Sequence, residues 1–184
     1  SHVYAMSPHL AKIAEPYGRV ETAENVVDVD RFCHKKREDV DERWLVIGRV
    51  DGDKLVGIAN FIEYAYKVGI PGVVIIGSNA LHSERSLVES TYSSTSLKDY
   101  VEFVGHKNSD EIADFISRFA GVAGVGRVVL EGMSCQKPTC VIGVNGGVRG
   151  LIRQENFHIF AESVFNGGNM PNITVEKFKE QIDN

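Results

Sequence analysis

Two cationic side chains follow the first strongly apolar segment of the sequence. Residues 44–48 form a continuous apolar run that ends in Gly48, which predicts a strand buried on both faces. Arg49 follows at once, and Lys54 comes five residues later at the start of a predicted helix. An arginine fork, a lysine point charge and the positive end of a helix dipole together suit a diphosphate. A solvated pair of surface cations would give the same pattern.

A second chemical motif opens another predicted helix. Gly124 and Gly126 precede Arg127, and Glu131 lies one turn into a stretch of helical composition. The segment matches the dinucleotide fingerprint G-x-G-x-x-G only in part, since Val129 stands where the third glycine belongs, and the sequence has no P-loop motif. A carboxylate at position 131 can accept both hydroxyls of a ribose, or it can simply favour the helix dipole.

Glycine is the one mild excess in the composition. Eight of the 18 glycines fall within residues 121–150, and a third glycine-rich loop at 143–150 contains Gly146 and Gly147. Tight turns between strands and helices favour glycine anyway, but glycines also let backbone amides approach a ligand closely. We therefore interpret the clustered glycines as loops that line a binding rim.

Short β-branched runs alternate with amphipathic stretches along the chain. We expect strands at 44–48, 72–77, 100–105, 122–125 and 138–142, and helices at 54–66, 83–89, 109–119, 127–135, 156–165 and 175–182. Such βα repeats predict an α/β fold, a three-layer Rossmann-like domain whose parallel sheet carries helices on both faces. Ligands of such sheets bind beyond the carboxyl ends of the strands, where the glycine loops would converge.

Composition excludes several other classes of protein. The 184 residues are 43% apolar and 24% charged, as expected for one globular unit, and the formal net charge of −5 disfavours nucleic acid as a partner. No apolar run approaches the roughly 18 to 20 residues that span a bilayer, and no signal peptide is evident, so we expect a cytoplasmic location. Three cysteines without metal-ligand spacing predict buried or incidental thiols and no metal site.

In their order and spacing, these motifs resemble the C-terminal, donor-binding domain of GT-B glycosyltransferases, in the large retaining group of the group 1, family 4 type. The resemblance covers about residues 25–157. It rests on Gly-Arg-x4-Lys after the first strand, Phe-x-Gly ending at Gly105, Gly-x-Gly-x-x-x-Leu-Glu-x-Met around Glu131, Lys-Pro-x-x-Val and a Gly-Gly loop. It implies one half of a GT-B fold, with 1–24 arriving from a missing N-terminal half, 25–165 binding the nucleotide-sugar, and 166–184 forming a C-terminal loop and helix.

The resemblance also implies roles for individual residues. Arg49 and Lys54 would neutralise the donor diphosphate and stabilise it as the leaving group, and Glu131 would bind the ribose. The donor-binding positions it implies are Gly48, Gly105, His106, Lys107, Gly124, Gly126, Arg127, Glu131, Gly146 and Gly147. No metal or cofactor is implied, since the UDP- or GDP-type sugar is a substrate. Ala123 departs from the family pattern, because it stands where a glutamate contacts the transferred sugar.

The implied function is the donor-binding domain of a glycosyltransferase that transfers a hexosyl group with retention. We expect this piece to be inactive alone, because the acceptor-binding N-terminal half is absent. Two alternatives stay open: a nucleotide-sugar epimerase of the same architecture, and a catalytically silent nucleotide-sugar-binding module, which Ala123 favours. The expected partners are the donor and the missing half, through which any peripheral membrane contact would be made.

Overall fold

A computed structural model describes residues 2–23, 25–50, 52–77, 97–143 and 145–184. Their elements are, in chain order, β1 (His2–Ala5), α1 (Pro8–Ala14), a 3-10 turn (Glu15–Tyr17), β2 (Arg19–Thr22), β3 (Asp41–Ile47), α2 (Gly52–Lys67), β4 (Val73–Ile76), β5 (Val101–Gly105), α3 (Ser109–Arg118), β6 (Phe119–Gly124), α4 (Arg127–Ser134), β7 (Thr139–Ile142), β8 (Val148–Leu151), α5 (Phe157–Glu162) and α6 (Val175–Asp183). None of these helices is long and apolar enough to cross a membrane. The helix predicted at 83–89 lies outside the described residues.

Six of the strands form one sheet in the order β5-β4-β3-β6-β7-β8. The chain runs outward from β3 through β4 to β5, then returns to the middle and runs outward through β6 and β7 on the other side. The strands from β5 to β7 are mutually parallel. The predicted Rossmann-like α/β class is confirmed, and the direction of winding reverses between β3 and β6.

The last strand of this sheet departs from the parallel pattern. β8 pairs antiparallel with β7, and register partners include Cys140 with Leu151. The connection between the two strands is a short turn in which the Gly143 N–H donates to the Gly147 carbonyl at 2.6 Å. A parallel crossover needs a dozen or more residues, so a turn of this length dictates a hairpin.

Alternating side chains on β3 anchor a core on each face of the sheet. Trp44 and Val46 pack with Phe61 of α2 on one face. Leu45 and Ile47 pack with Ile116 of α3 on the other. Because successive strand residues point to opposite faces, helices on both sides require the unbroken apolar run that the sequence shows.

Strand β6 begins earlier than its sequence indicates. Phe119, expected on a helix, instead follows the end of α3 and pairs with Asp41 at the start of β6. Within the strand, a Cβ on Gly121 would lie 2.4 Å from the Trp44 indole, and one on Gly132 in α4 would lie 2.7 Å from the Thr139 hydroxyl. These two members of the glycine cluster therefore serve close packing rather than a ligand-facing loop.

The N-terminal residues form a separate small unit. β1 and β2 pair in parallel and are joined by α1. Several apolar side chains of this unit are exposed, namely Tyr4, Met6, Ile13 and Tyr17. Parallel sheets are normally covered on both faces, and two strands alone bury little. Among the described residues, no third strand joins this pair.

The C-terminal helix α6 closes the core on the face that carries α2. Phe178 is fully buried, and its ring centroid lies 6.1 Å from that of Phe61 and 6.3 Å from that of Trp44. Tyr64 adds a hydrogen bond of 2.8 Å from its hydroxyl to the Ile173 carbonyl just before the helix. The helix is thus part of the folding unit.

Truncating Phe178 tests this docking. We expect Phe178→Ala to lower the free energy of unfolding by about 3 to 5 kcal/mol, because it leaves a cavity among three aromatic rings. The matched control is Phe157→Ala, since that side chain is 44% exposed, and it should cost less than half as much. Urea unfolding of both variants checks the difference, and equal losses would contradict a docked α6.

Candidate functional site

A narrow cavity lies at the point where the direction of winding reverses. The described residues that line it are Val46, Ile47, Gly48, Arg49, Lys54, Ile58, Gly124, Val125, Ile142 and Gly143. They come from the carboxyl ends of β3, β6 and β7 and from the first two turns of α2. Its volume of about 20 Å³ leaves room for about one water molecule. Open α/β sheets bind their ligands at this place.

Four of the predicted site residues meet at this cavity: Gly48, Arg49, Lys54 and Gly124. Arg49 is exposed just beyond β3, and Lys54 is half-buried in the first turn of α2. The described lining residues include two cations and no carboxylate. Gly143 also lines it and was not among the predicted site residues, although it closes the predicted strand at 138–142.

Close approach explains two glycines at this edge. A Cβ on Gly124 would lie 2.5 Å from Val128 Cγ1 and 3.1 Å from the Ile47 carbonyl oxygen. A Cβ on Gly77 would lie 1.9 Å from the carbonyl oxygen of Gly48. Side chains at these positions would push apart the strand ends and the first turn of α4. The edge is therefore built of backbone, as a phosphate site requires.

The beginning of α4 carries three more predicted residues. Gly126 adopts a φ of 63° at the N-cap, and its N–H donates to the Phe165 carbonyl at 2.9 Å. Arg127 follows Gly126 directly, and its Nε lies 3.0 Å from Oε1 of Glu131, one turn later in the helix. The Glu131 side chain is 5% exposed and that of Arg127 is 67% exposed. Burial raises the pKa of the Glu131 carboxyl, and Arg127 partly opposes the rise.

The residues predicted to read the base lie farther along the same edge. Gly105 ends β5, two strands away from β3 and so about 10 Å from it, and its carbonyl accepts a 3.1 Å hydrogen bond from Gly77. Lys107 Nζ pairs with Glu111 at 3.3 Å and lies over the Phe115 ring. The Lys107 side chain is therefore engaged by α3, while His106 is exposed. These residues do not line the cavity.

The third glycine loop is held from two sides. The Gly146 N–H donates to the Gly143 carbonyl at 2.9 Å, and the Gly146 carbonyl accepts from Asn60 of α2 at 2.5 Å. Gly147 lies against Asn172, where a Cβ would meet the amide oxygen at 1.5 Å. The loop borders the cavity through Gly143. The Asn60 side chain holds the loop by a hydrogen bond, and the Asn172 side chain packs beside it. No sequence motif marks either one.

Ala123 lies inside β6 rather than at its end. It is fully buried, and its register partners are Val46 on β3 and Cys140 on β7. Its side chain belongs to the core on the α2 face. The Ala123 side chain does not line the cavity, whereas its neighbour Gly124 does.

Comparison with known proteins supports the fold. No protein-family model and no curated protein matches the sequence. Among solved structures, sucrose-phosphate synthase from Thermosynechococcus elongatus is 19% identical over 75% of this chain and 39% of its own, with a TM-score of 0.61. HepE from Anabaena in complex with UDP is 16% identical over 100% of this chain and 62% of its own, with a TM-score of 0.62.

A third similar structure is the C-terminal domain of LpcC, a glycosyl transferase group 1 family protein from Francisella tularensis. It is 20% identical over 62% of this chain and 69% of its own, with a TM-score of 0.52. The structural neighbours are GT-B glycosyltransferases, and at these identities they establish the fold of the chain. The chain spans about two fifths of the length of the sucrose-phosphate synthase.

The burial of Glu131 should make the stability effect of Glu131→Gln depend on pH. A pKa raised above the ordinary 4.5 means that the folded state favours the protonated form. Its contribution to stability is then present below pH 4.5 and lost as the pH rises through the folded pKa. We expect Glu131→Gln to match the parent protein at about pH 4 and to exceed it in unfolding free energy at about pH 7.

Glu111→Gln provides a control with the opposite sign. Hydrogen bonds from the Asn108 backbone and from Lys107 lower the pKa of the Glu111 carboxyl. This variant should be less stable than the parent above pH 4.5, with the deficit disappearing as the pH falls. Denaturant unfolding at several pH values measures both, and a Glu131→Gln difference independent of pH would contradict a buried, ionisable carboxylate.

Proposed function

We propose that the chain is the donor-binding domain of a glycosyltransferase that takes a hexosyl group from a nucleoside-diphosphate sugar with retention. The observation that carries the proposal is the meeting of Arg49 and Lys54 with the backbone of Gly48 and Gly124 at the reversal of winding. Cations beside glycine backbone at such a place suit a diphosphate. Because the cavity itself holds little more than a water, the diphosphate would lie across its mouth, against exposed Arg49.

The chemistry asked of these residues is electrostatic. When the bond between sugar and diphosphate breaks, negative charge grows on the leaving phosphate, and fixed cations lower the energy of that state. A single preorganised group of this kind is worth about 3 to 4 kcal/mol, or 10² to 10³ in rate. Arg49 and Lys54 would supply this stabilisation, and no metal is invoked for the step.

The rest of the donor would extend along the same edge. Glu131 would accept the ribose hydroxyls once Arg127 turns away, and the backbone at 105–107 would read the base from the end of β5. The presence of UDP in the similar HepE structure supports a donor of the UDP type, with GDP as the second choice. The loop at Gly146 and Gly147 would face the sugar.

An acceptor-binding domain is proposed to precede this chain. The unit of β1, α1 and β2 exposes Tyr4, Met6, Ile13 and Tyr17, and a larger parallel sheet would cover them. HepE matches all of this chain with only 62% of its own length, which supports further chain in the whole protein. Sugar transfer would require both the donor-binding and the acceptor-binding domain. We propose that the whole protein is cytoplasmic and that the acceptor-binding domain makes any membrane contact.

A specific observation supports one alternative function. A silent nucleotide-sugar-binding module is supported by Ala123, whose burial in β6 removes any side-chain contact from that position to the sugar. An epimerase of the same architecture would convert the donor without an acceptor. Supplying the full-length protein with a labelled nucleotide-sugar separates the three, since the products are a transferred sugar, an epimerised donor or neither.

Calorimetry on this chain tests the proposal. We expect UDP or GDP to bind more tightly than about 1 mM, and ADP more weakly. Arg49→Ala and Lys54→Ala should each weaken binding roughly 10- to 100-fold, the loss of one charge-assisted contact. Arg19→Ala and Lys67→Ala are matched controls, since both cations are largely exposed and lie away from the cavity. The proposal fails if no nucleotide binds or if Arg49→Ala changes nothing.

A further inference from the structure

A buried arginine lies beside the proposed site. Arg149 of β8 is only 7% exposed, and its Nε is buried without a hydrogen-bond partner. Its Nη1 donates to the Asn172 side-chain oxygen. No ion pair joins Arg149 to a carboxylate of the described residues, and burial lowers the pKa of its guanidinium. Buried charges in proteins are normally paired, because taking an ion out of water costs several kcal/mol.

Packing alone does not explain an arginine here. Its strand neighbours Val148 and Leu151 are buried and apolar, and a methionine could fill similar space without burying a charge. Two half-buried arginines of the fold have acidic partners, whereas half-buried Arg153 donates to the Gln181 carbonyl. Arg43 lies 2.7 Å from both Asp41 and Glu102, and Arg37 pairs with Asp114. The missing anion at Arg149 therefore points to a ligand.

The guanidinium lies directly behind the rim. A Cβ on Gly143 would come within 2.3 Å of Arg149 Nε and 2.7 Å of its Nη2. Gly143 is also a wall of the cavity that Arg49 and Lys54 line. The side chain thus adjoins the turn at 143–147, on the face opposite α2, while Arg49 and Lys54 lie at the α2 side. Asn145 in this turn is exposed.

We infer that Arg149 recognises a carboxylate on the transferred sugar, so that the donor is a nucleoside-diphosphate hexuronic acid. The inference rests on the proposed function for the diphosphate, which Arg49 and Lys54 would bind. Arg149 is a third cation, and it lies next to the loop that would face the sugar. A negative group on the sugar itself would neutralise its charge. A planar carboxylate matches the guanidinium fork, and no carboxylate among the described cavity residues would repel it.

Two measurements test the inference. Calorimetry compares UDP-glucuronic acid with UDP-glucose, and the parent protein should bind the uronic acid at least tenfold more tightly. Arg149→Met should abolish that preference and leave UDP affinity within about twofold, whereas Arg153→Met, the matched control four residues away, should retain it. Arg149→Met should also keep or raise the thermal midpoint of the unliganded protein, because it removes an unpaired buried charge.

The second measurement needs no nucleotide. The Arg149 Nε–Hε signal, assigned by its absence in Arg149→Met, should shift with sodium glucuronate and not with glucose at matched ionic strength. If Arg149→Met fails to fold, Arg149→Lys replaces it in both the calorimetry and the assignment of the Nε–Hε signal. This variant keeps the positive charge but lacks the planar guanidinium. A glucuronate shift in a protein that binds no nucleotide would uphold this site and overturn the proposed donor function.

Three results would overturn the inference. One is an Arg149 signal that glucuronate leaves unmoved. Another is an unchanged ratio of the two donor affinities in Arg149→Met. The last is an equal shift with inorganic phosphate, which would show a general anion site rather than a sugar carboxylate site.

Discussion

Parallel pairing between β3 and β6 fixes the position of the crevice in this sheet. The two strands are neighbours in the sheet, yet α2 follows β3 onto one face and α4 follows β6 onto the other. Helices that diverge in this way leave a crevice between the strand ends. The glycines at 77 and 124 keep that crevice lined by backbone, because any Cβ there would collide with a neighbouring strand end or with α4.

Charge is distributed unevenly across the domain. At the amino-terminal end of β3, Arg43 is held between Asp41 and Glu102, and these carboxylates raise the pKa of its guanidinium. At the carboxyl end, Arg49 and Lys54 line a cavity whose described walls contain no carboxylate. Arg149 lies behind the same rim without an acidic partner among the described residues. An anionic ligand at Arg149 would supply the compensation that Asp41 and Glu102 supply to Arg43.

Much of the fold could be predicted from sequence because its strands are buried on both faces. The runs at 44–48 and 72–77 had to be apolar throughout, and amphipathic spacing marked α2, α3 and α6. The start of β6 at Phe119 was missed because Phe119 continues the helical spacing of apolar residues in α3, and an aromatic residue fits a helix or a strand. The antiparallel β8 was missed because a short turn, rather than side-chain pattern, sets its direction.

Only part of the candidate site could be predicted from the sequence. Arg49, Lys54, Gly48 and Gly124 follow strand ends, and a parallel sheet brings strand ends together. Arg149 carries no such signal, since it sits in a short strand whose burial depends on Gly143, Gly167 and Asn172 from distant parts of the chain. The unit formed by β1 and β2 was likewise hidden, because its apolar residues are exposed in this chain.

We propose that a nucleoside diphosphate binds where the direction of winding reverses between β3 and β6. Mapping amide chemical shifts of the isotopically labelled chain during titration with UDP, and separately with GDP, tests it most directly. We expect the largest shifts on the amides of 48–50, 54–56 and 124–128, with smaller ones at 105–107. Shifts confined to another surface, such as the groove lined by Pro8 and Leu10 of α1 and by Glu162 of α5, or no shifts with either nucleotide, would contradict this binding site.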